Sequence, residues 1–287
     1  MKLSIGIISY NTKEMLGDCL KSIADQGGDY LANTTVIDNA SNDGSQQLVK
    51  DGFSTVKLIE NKENQGFAKA ANQAIKKSDG DMVVVLNTDT VLHENSLENL
   101  IDFMKSCPQA GAVGPLLLNP DGSNQASGRR VPSFFDASIH AFLGVVAPNN
   151  RYTRRYKLLD WDRNNKREVD WISGAAICLR KKAAQDVGLF DERYFMYVED
   201  MDLCYRLWEN GWKVFLLPEA KVTHHIGQSS KQFNNQMIKE FEKSIFRFFK
   251  KQNKDSLKRY LSPLIWLGLK LRTRLLILNG RLRKGSA

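Results

Sequence analysis

The chain has no Cys-x-x-Cys pair, no uncharged run long enough to cross a bilayer and no glycine-rich phosphate loop, and each absence closes off a class of protein. Its four cysteines, Cys19, Cys107, Cys178 and Cys204, are scattered. Three of them fall inside apolar helix or strand patterns, so they read as reduced thiols, not as a disulfide or zinc framework. The longest strongly apolar stretch, Tyr260 to Leu269, is about half of the roughly 18 residues a spanning helix needs, and no transmembrane segment is expected. The opening MKLSIGIISYN holds too short an apolar run for a secretory signal, so the chain is expected to stay in the cytoplasm. Without GxGxxG or GxxxxGK[ST], dinucleotide redox chemistry and P-loop hydrolysis are unsupported.

What is present is enough for a full core: 287 residues, 42% hydrophobic, read as one large domain with an appendage. The net charge of +9 is unevenly placed, because residues 239–284 carry 14 Lys and Arg against 3 acids, which leaves −2 for everything else. A nucleic-acid-binding domain would show a basic face with interleaved aromatics on the folded body. The surplus here belongs to the tail, and no nucleic-acid partner is expected.

The stretch Asp81 to Thr90, DMVVVLNTDT, organises the rest. Met82 to Leu86 suits a central parallel strand covered on both faces, and it runs into a polar turn with one carboxylate, Asp89. Strands are also expected at Leu3 to Ser9, Thr34 to Asp38 and Thr55 to Glu60, with helices at Lys13 to Asp25 and Ala68 to Lys77 between them. This alternation predicts an α/β fold, Rossmann-like, with a mostly parallel central sheet flanked by helices. Ligands in such sheets gather at the carboxyl ends of the strands, where Asp38, Asn61, Asn87 and Asp89 stand. Asn and Asp also populate turns for their own backbone bonds, but their recurrence at successive strand ends favours a shared ligand. Asp89 is either a turn residue or a hard ligand for Mg²⁺ or Mn²⁺, and Gly66 allows close approach of a ligand to the backbone.

A helix at Ser96 to Cys107 and a strand at Ala110 to Leu118 follow. Residues 119–167 break the alternation and read as a loop-rich insertion over the site. Its arginines, Arg129, Arg130, Arg151, Arg154 and Arg155, either clamp a diphosphate or form a solvated basic surface. Val169 to Leu179 reads as one strand with a close approach at Gly174, and Lys181 to Val187 as a short helix. Val198 to Trp208 is a helix entered through Glu199, Asp200 and Asp202, more acid than the helix dipole alone explains. A strand at Lys213 to Leu217 precedes His224-His225, a pair able to ligate metal or phosphate.

Ile8-Ser9-Tyr10-Asn11, Asp38-Asn39-Ala40-Ser41-Asn42-Asp43-Gly44-Ser45, Asn61 with Asn64-Gln65-Gly66-Phe67-Ala68, Leu86-Asn87-Thr88-Asp89-Thr90, the run Gly174 to Leu207, and His224 with Gly227 and Ser229 together resemble the family 2 glycosyltransferases, in particular the bacterial rhamnosyltransferase-like branch. The resemblance covers residues 3 to about 230 and implies a GT-A fold over residues 1–230. It also implies a dTDP- or UDP-sugar donor, a divalent metal (Mn²⁺ or Mg²⁺) and inversion at the anomeric carbon. It would place Ser9, Tyr10, Asn11, Asp38, Asn39, Asn61, Asn64, Gly66, Phe67, Asn87, Thr88 and Asp89 around the nucleotide-sugar, with the Asp38 carboxylate on the base imide. Asp89 and His224 would be the metal ligands and His225 a variable neighbour. Asn87 stands where many members carry the first aspartate of the metal motif, one charge fewer. Asp200 matches the general base, and Trp171, Gly174, Glu199 and Asp202 would bind or orient the acceptor. The QxxRW motif of processive polymerases is missing, which implies one sugar per encounter.

The implied function is sugar transfer to a hydroxyl of a lipid-linked saccharide in bacterial cell-surface polysaccharide synthesis. A sugar nucleotidylyltransferase of related fold is the enzymatic rival, but it needs a glycine-arginine-rich N-terminal loop that this chain lacks. A non-enzymatic basic membrane- or nucleic-acid-binding protein is the rival of another class. Residues 231–287 form a basic amphipathic helical tail: Met237 to Lys251 puts Ile238, Phe241, Ile245, Phe248 and Phe249 on one face, and Leu257 to Leu278 repeats the pattern. Such helices suit the headgroup layer of an anionic membrane, peripheral on the inner face. On that expectation, removing residues after Ser230 spares turnover of a short soluble acceptor. The alternative is that the helices pack on the catalytic domain or pair two copies into a homodimer.

Overall fold

Strand β1 (Leu3–Ser9) leads through α1 (Lys13–Ala24) to β2 (Thr34–Asp38), then α2 (Ser45–Gly52), β3 (Lys57–Glu60), α3 (Phe67–Lys77) and β4 (Met82–Asn87). The structure, a computed structural model, describes residues 1–131, 150–225 and 234–284. Gly227, Ser229 and residues 132–149 of the expected insertion lie outside the described residues.

The first half builds outward and then returns. β2 pairs with β1 and β3 with β2, all parallel, after which the chain crosses back to lay β4 on the other side of β1, Leu3 against Met82 through Ile8 against Asn87. The reversal of strand order between the parallel β1 and β4 opens a crevice beyond their carboxyl ends, where Ser9, Tyr10 and Asn87 to Asp89 sit. Short β5 (Thr90–Leu92), α4 (Ser96–Ser106) and β6 (Ala110–Leu118) follow. Next come β7 (Gly128–Arg129), α5 (Arg151–Tyr156), β8 (Arg167–Glu168), β9 (Trp171–Ile172), β10 (Ala176–Arg180) and α6 (Lys181–Asp186). The series closes with α7 (Glu199–Glu209), β11 (Lys213–His224), α8 (Asn234–Gln252), a 3-10 turn Leu257–Leu261 and α9 (Ser262–Lys284). The sheet order is β3-β2-β1-β4-β10-β6-β11-β5, with β8 added beside β11 and β7 pairing β9 separately.

Both faces of the sheet are covered, which is why β4 is a continuous apolar run. Val84 and Leu86 pack with Leu16, Leu20 and Leu97 on one side, while Val83 and Val85 pack with Phe67, Ile75, Leu203 and Leu207 on the other. At about 1.5–3 kcal/mol for each buried aliphatic, these layers fix strand register, since a slip of one residue would exchange the two faces.

The structure departs from the sequence expectation in three places. Val169 to Leu179 is not one strand: it stops at Ile172, turns through Ser173-Gly174-Ala175, and resumes as β10, which runs antiparallel to β4. β11 extends seven residues beyond the expected Leu217, to His224. It shifts register between Leu217 and Lys221, around Pro218, whose nitrogen has no proton to give the ladder. The first tail helix is not a free amphipathic helix either. Phe241, Ile245 and Phe248 of α8 pack onto the cluster formed by α3 and α7. Ser244 donates to Met196 O at 3.0 Å, and Lys251 reaches Asp191 and Asp202 at 2.9 and 2.8 Å. Helix α9 then packs on α8 through Trp266 against Phe246, 4.8 Å between ring centroids, and through an Arg272–Glu242 ion pair.

Candidate active site

Two adjoining hollows lie along the crevice and share Phe67, Asn87 and Met196. The first, about 440 Å³, is lined by Tyr10, Asn39, Asn64, Gly66, Phe67 and Thr88 from the sequence-derived set, and by Gln236 and Met237 of α8. The other nucleotide candidates form the layer beneath it. Asp38 is fully buried; one carboxylate oxygen accepts from Ser41 N and Gln46 Nε2 at 2.8 and 2.7 Å, the other from Ser41 Oγ at 2.6 Å. Asn11, held at φ 53, donates its N–H to Ser41 Oγ and accepts from Asn42 N. The Asn61 amide bridges Asn39 Oδ1 at 2.9 Å and Gln73 at 3.1 Å, and the Ser9 hydroxyl is buried. Gly66 (φ 81) is needed for a different approach from the one expected. A Cβ there would lie 2.3 Å from the Phe195 carbonyl, which accepts the Phe67 N–H at 2.8 Å.

The second hollow, about 620 Å³, holds the charged groups. Asp89, 3% exposed, faces His224 with Nε2 to Oδ1 at 3.4 Å. The pairing is made by β5, whose Thr90 sits opposite His224 of β11. Gln125 grips His224 twice: its Oε1 lies 3.1 Å from Nδ1, and its Nε2 donates to the His224 carbonyl at 2.7 Å. His225 donates its backbone N–H to the Asp89 carbonyl at 2.9 Å. A carboxylate oxygen and an imidazole nitrogen so placed match the donor types that bind divalent ions. Adjacent ligands on an octahedral cation at 2.0–2.1 Å stand about 3 Å apart, close to the separation seen. Among the described residues no group of three His, Cys, Asp or Glu gathers, so these two would be supplemented by oxygens of the substrate.

At the mouth of α7, Tyr197 (φ 68) and Val198 (φ 70) both take left-handed backbone conformations, which is strained for a β-branched residue and concentrates at functional sites. The kink delivers Glu199 and Asp200. Asp200 accepts from Gly174 N and Met201 N, each at 2.8 Å. Burial raises its pKa above the ordinary carboxylate range, against the lowering effect of those N–H groups and of Arg129. Glu199 is 5% exposed and its Oε2 is buried without a hydrogen bond. Burial first, then the neighbouring Asp200 charge, pushes its pKa well above its usual value. Trp171 lines the same hollow and donates Nε1–H to Arg130 O at 3.0 Å.

Asp202, expected beside the acceptor, turns away from the cleft. It is fully buried and accepts from Arg206 at 2.7 Å and Lys251 at 2.9 Å, because its place on α7 faces α8. Residues the sequence reading did not place in the site are Gln125, Tyr156 and Lys157, and from the tail Gln236, Met237, Phe241 and Ile245. Only the tail residues had carried a signal, their helical apolar periodicity, without an indication of what they cover.

A mostly parallel sheet with this switch-point crevice, a carboxylate–imidazole pair and a raised carboxylate beside it defines a GT-A-type glycosyltransferase. Among solved structures the chain resembles the mannosyltransferase from Pyrobaculum calidifontis in complex with GDP-Man and Mn²⁺, at TM-score 0.59 and 16% identity, over 98% of this chain and 79% of that one. The profile described as glycosyl transferase family 2 matches residues 4–183. N-acetylglucosaminyl-diphospho-decaprenol L-rhamnosyltransferase of Mycobacterium tuberculosis is 34% identical over 84% of this chain and 82% of its own. Rhamnosyltransferase WbbL of Escherichia coli is 26% identical over 64% and 68%. The chain belongs to glycosyltransferase family 2.

Proposed function

We propose that the enzyme moves rhamnose or another hexose, with inversion, from a dTDP- or UDP-sugar to a hydroxyl of a lipid-linked saccharide in bacterial cell-surface polysaccharide synthesis. The observation that carries this reading is that a single hollow is lined both by the raised, N–H-anchored Asp200 and by the Asp89–His224 pair. The mycobacterial relative, similar over nearly its whole length, supplies the sugar and the class of acceptor.

In this reading the 440 Å³ hollow takes the nucleoside, between Tyr10, Asn39, Asn64 and Phe67. Asp38, fully buried beneath the hollow, shapes the β2 turn through its bonds to Ser41 and Gln46 and so positions Asn39 in the hollow's wall. Asp89 and His224 would hold Mn²⁺ or Mg²⁺, with Gln125 fixing the imidazole. Such an ion supplies positive charge for the diphosphate that leaves. Asp200 accepts the proton of the acceptor hydroxyl as that oxygen attacks the anomeric carbon, and the burial that raises its pKa makes it a stronger base. The burial of Glu199 beside it disfavours a second negative charge at this point of the site. A single carboxylate base and a direct displacement invert the anomeric centre. Turnover of dTDP-rhamnose and UDP-sugars on a lipid-linked N-acetylglucosamine acceptor, with the product linkage read by NMR, tests this. A retained configuration removes the displacement, and equal rates in Mn²⁺ and in chelator remove the metal.

The outer face of α9 supports a membrane role. Leu264, Leu267, Leu271, Leu275 and Leu278 recur at helical spacing and each is more than half exposed. Lys258, Arg259, Lys270, Arg272 and Arg274 flank them, a composition suited to an anionic headgroup layer. Among the described residues no helix is long and apolar enough to cross a membrane. We place the enzyme on the cytoplasmic face of the cell membrane, lying on α9. Cosedimentation with anionic vesicles is expected for the intact protein, and a leucine face that instead pairs two copies would show as a doubled mass with no vesicle binding.

A further inference from the structure

The wall of the 620 Å³ hollow next to Asp200 is basic. Arg129 of β7 stacks its guanidinium on Trp171, 4.8 Å from the ring centroid, with Tyr156 at 5.8 Å, and anchors Nε on the Ala126 carbonyl at 2.6 Å. Lys157, at the end of α5, lines the same hollow. Behind them Arg163 is buried and spends its guanidinium on the carbonyls of Lys157, Leu158 and Trp161. Burial and then the charge of Arg129 lower the pKa of Lys157 and of Arg163. Of the five arginines noted in the sequence between residues 129 and 155, Arg129 is the one lining this hollow; Arg130, Arg151, Arg154 and Arg155 are exposed.

Cations brought together in a concave, partly desolvated wall repel one another, and an anion bound between them relieves that repulsion. The anion is of phosphate type, because a stacked, carbonyl-anchored guanidinium presents the fork that phosphate oxygens match. Arg129 and Lys157 line the same hollow as Asp200, the base, and the charge of Arg129 favours the ionised Asp200 carboxylate. That places the basic wall on the side of the incoming hydroxyl, whereas the donor's own diphosphate has Asp89 and His224. We propose that Arg129 and Lys157 form a subsite for the diphosphate that joins the acceptor sugar to its lipid. The proposal rests on the reading of Asp200 as base and of the acceptor as lipid-linked, and it adds which residues recognise the linkage.

The full-length enzyme would be given N-acetylglucosamine on a short alkyl diphosphate and, separately, as the plain alkyl glycoside. Arg129→Gln and Lys157→Gln are each expected to lower the preference for the diphosphate-bearing acceptor, as a ratio of kcat/KM values, by about tenfold or more. Arg129→Lys should restore part of it. Equal losses on both acceptors would overturn the proposal, because Arg129 would then act through Asp200 or the fold. A rise in the donor's KM with an unchanged acceptor ratio would overturn it too, by assigning the wall to the donor. Calorimetric binding of the alkyl diphosphate acceptor in the absence of donor gives a readout independent of turnover. Weaker binding to Arg129→Gln but not to Asp89→Ala supports the subsite, and no binding to the unaltered enzyme removes it. Absence of transfer to either acceptor, alongside measurable binding, would instead strike the assigned reaction.

Discussion

His224 Nε2 lies 3.4 Å from Asp89 Oδ1, although 135 positions separate them in the chain, because the three-residue β5 pairs Thr90 with His224 at the sheet edge. If the two hold one cation, Asp89→Ala and His224→Ala each weaken nucleoside diphosphate binding strongly in Mn²⁺ and little in chelator. Gln125→Leu is expected to weaken it less, since it loses only the brace on Nδ1; outer contacts of metal ligands typically cost about 10–100-fold in affinity. His225→Ala should matter least, because His225 meets Asp89 through its backbone. Titration calorimetry with and without Mn²⁺ checks this, and equal losses in the two conditions would show that the pair does not bind metal.

A second prediction concerns how Asp200 is held. Asp200→Asn should keep donor binding and lose turnover by about 10² or more, the scale of general-base catalysis. Gly174→Ala is subtler: its Cβ would stand 3.2 Å from the Asp200 Cβ, so the side chain must shift by a few tenths of an ångström and its bond to the Gly174 N–H weakens. That bond favours the charged form, so its weakening moves the acid limb of the pH–rate profile upward while the fold persists. An unchanged limb in Gly174→Ala, with normal kcat, would show that the bond does not tune the base.

Much of this was legible in advance. The βα alternation and the apolar run of β4 reflect strong local periodicity, and β1, β2 and β6 begin and end where the pattern places them. Asp89, Asp200 and His224, the residues the family resemblance singles out, line one hollow. The rest depends on tertiary partners that no local pattern encodes. Strand β5 is too short to show a period, and Gln125 lies in a polar loop with no signature. Asp202 and Asp200 are both helix-entry acids in sequence, yet their two-residue offset turns one toward Lys251 and the other toward Gly174. The periodicity of α8 announced an apolar face without naming its partner. That partner proved to be the catalytic domain, with Phe241 and Ile245 at the lip of the hollow.

Glu199 yields a stability prediction with a definite sign. Its folded pKa is raised by burial and by Asp200, so the folded state binds the proton more tightly than the unfolded chain. Its contribution is fully present below the unfolded value of about 4.3 and is lost as pH rises through the higher folded value. Glu199→Gln cannot ionise and should therefore gain Tm relative to the unaltered protein as pH increases, with the smallest difference in acid. A Tm difference that is flat across pH would mean that Glu199 is not a buried acid.

The first tail helix lines the two hollows and the second faces outward, so truncation after Ser230 is expected to cost turnover, contrary to the expectation from sequence. Cutting there removes Gln236 and Met237 from the 440 Å³ hollow and Phe241 and Ile245 from the 620 Å³ hollow. It also strips Lys251 from the buried Asp202. The truncated protein is expected to lose transfer even to a short soluble acceptor, and to be less stable by several kcal/mol, since losing a buried charge partner alone costs about 3–5 kcal/mol. Replacing Leu264, Leu267, Leu271 and Leu275 by glutamine is the sharper operation, because these side chains point away from α8 while Trp266 and Leu269 keep the helix docked. Each leucine gives up about 1–2 kcal/mol of apolar burial in a bilayer, so vesicle binding should fall by at least 100-fold while soluble-acceptor turnover and Tm hold. Full activity in the variant truncated after Ser230 would detach α8 from the site, and undiminished vesicle binding by the four-leucine variant would take the membrane contact away from α9.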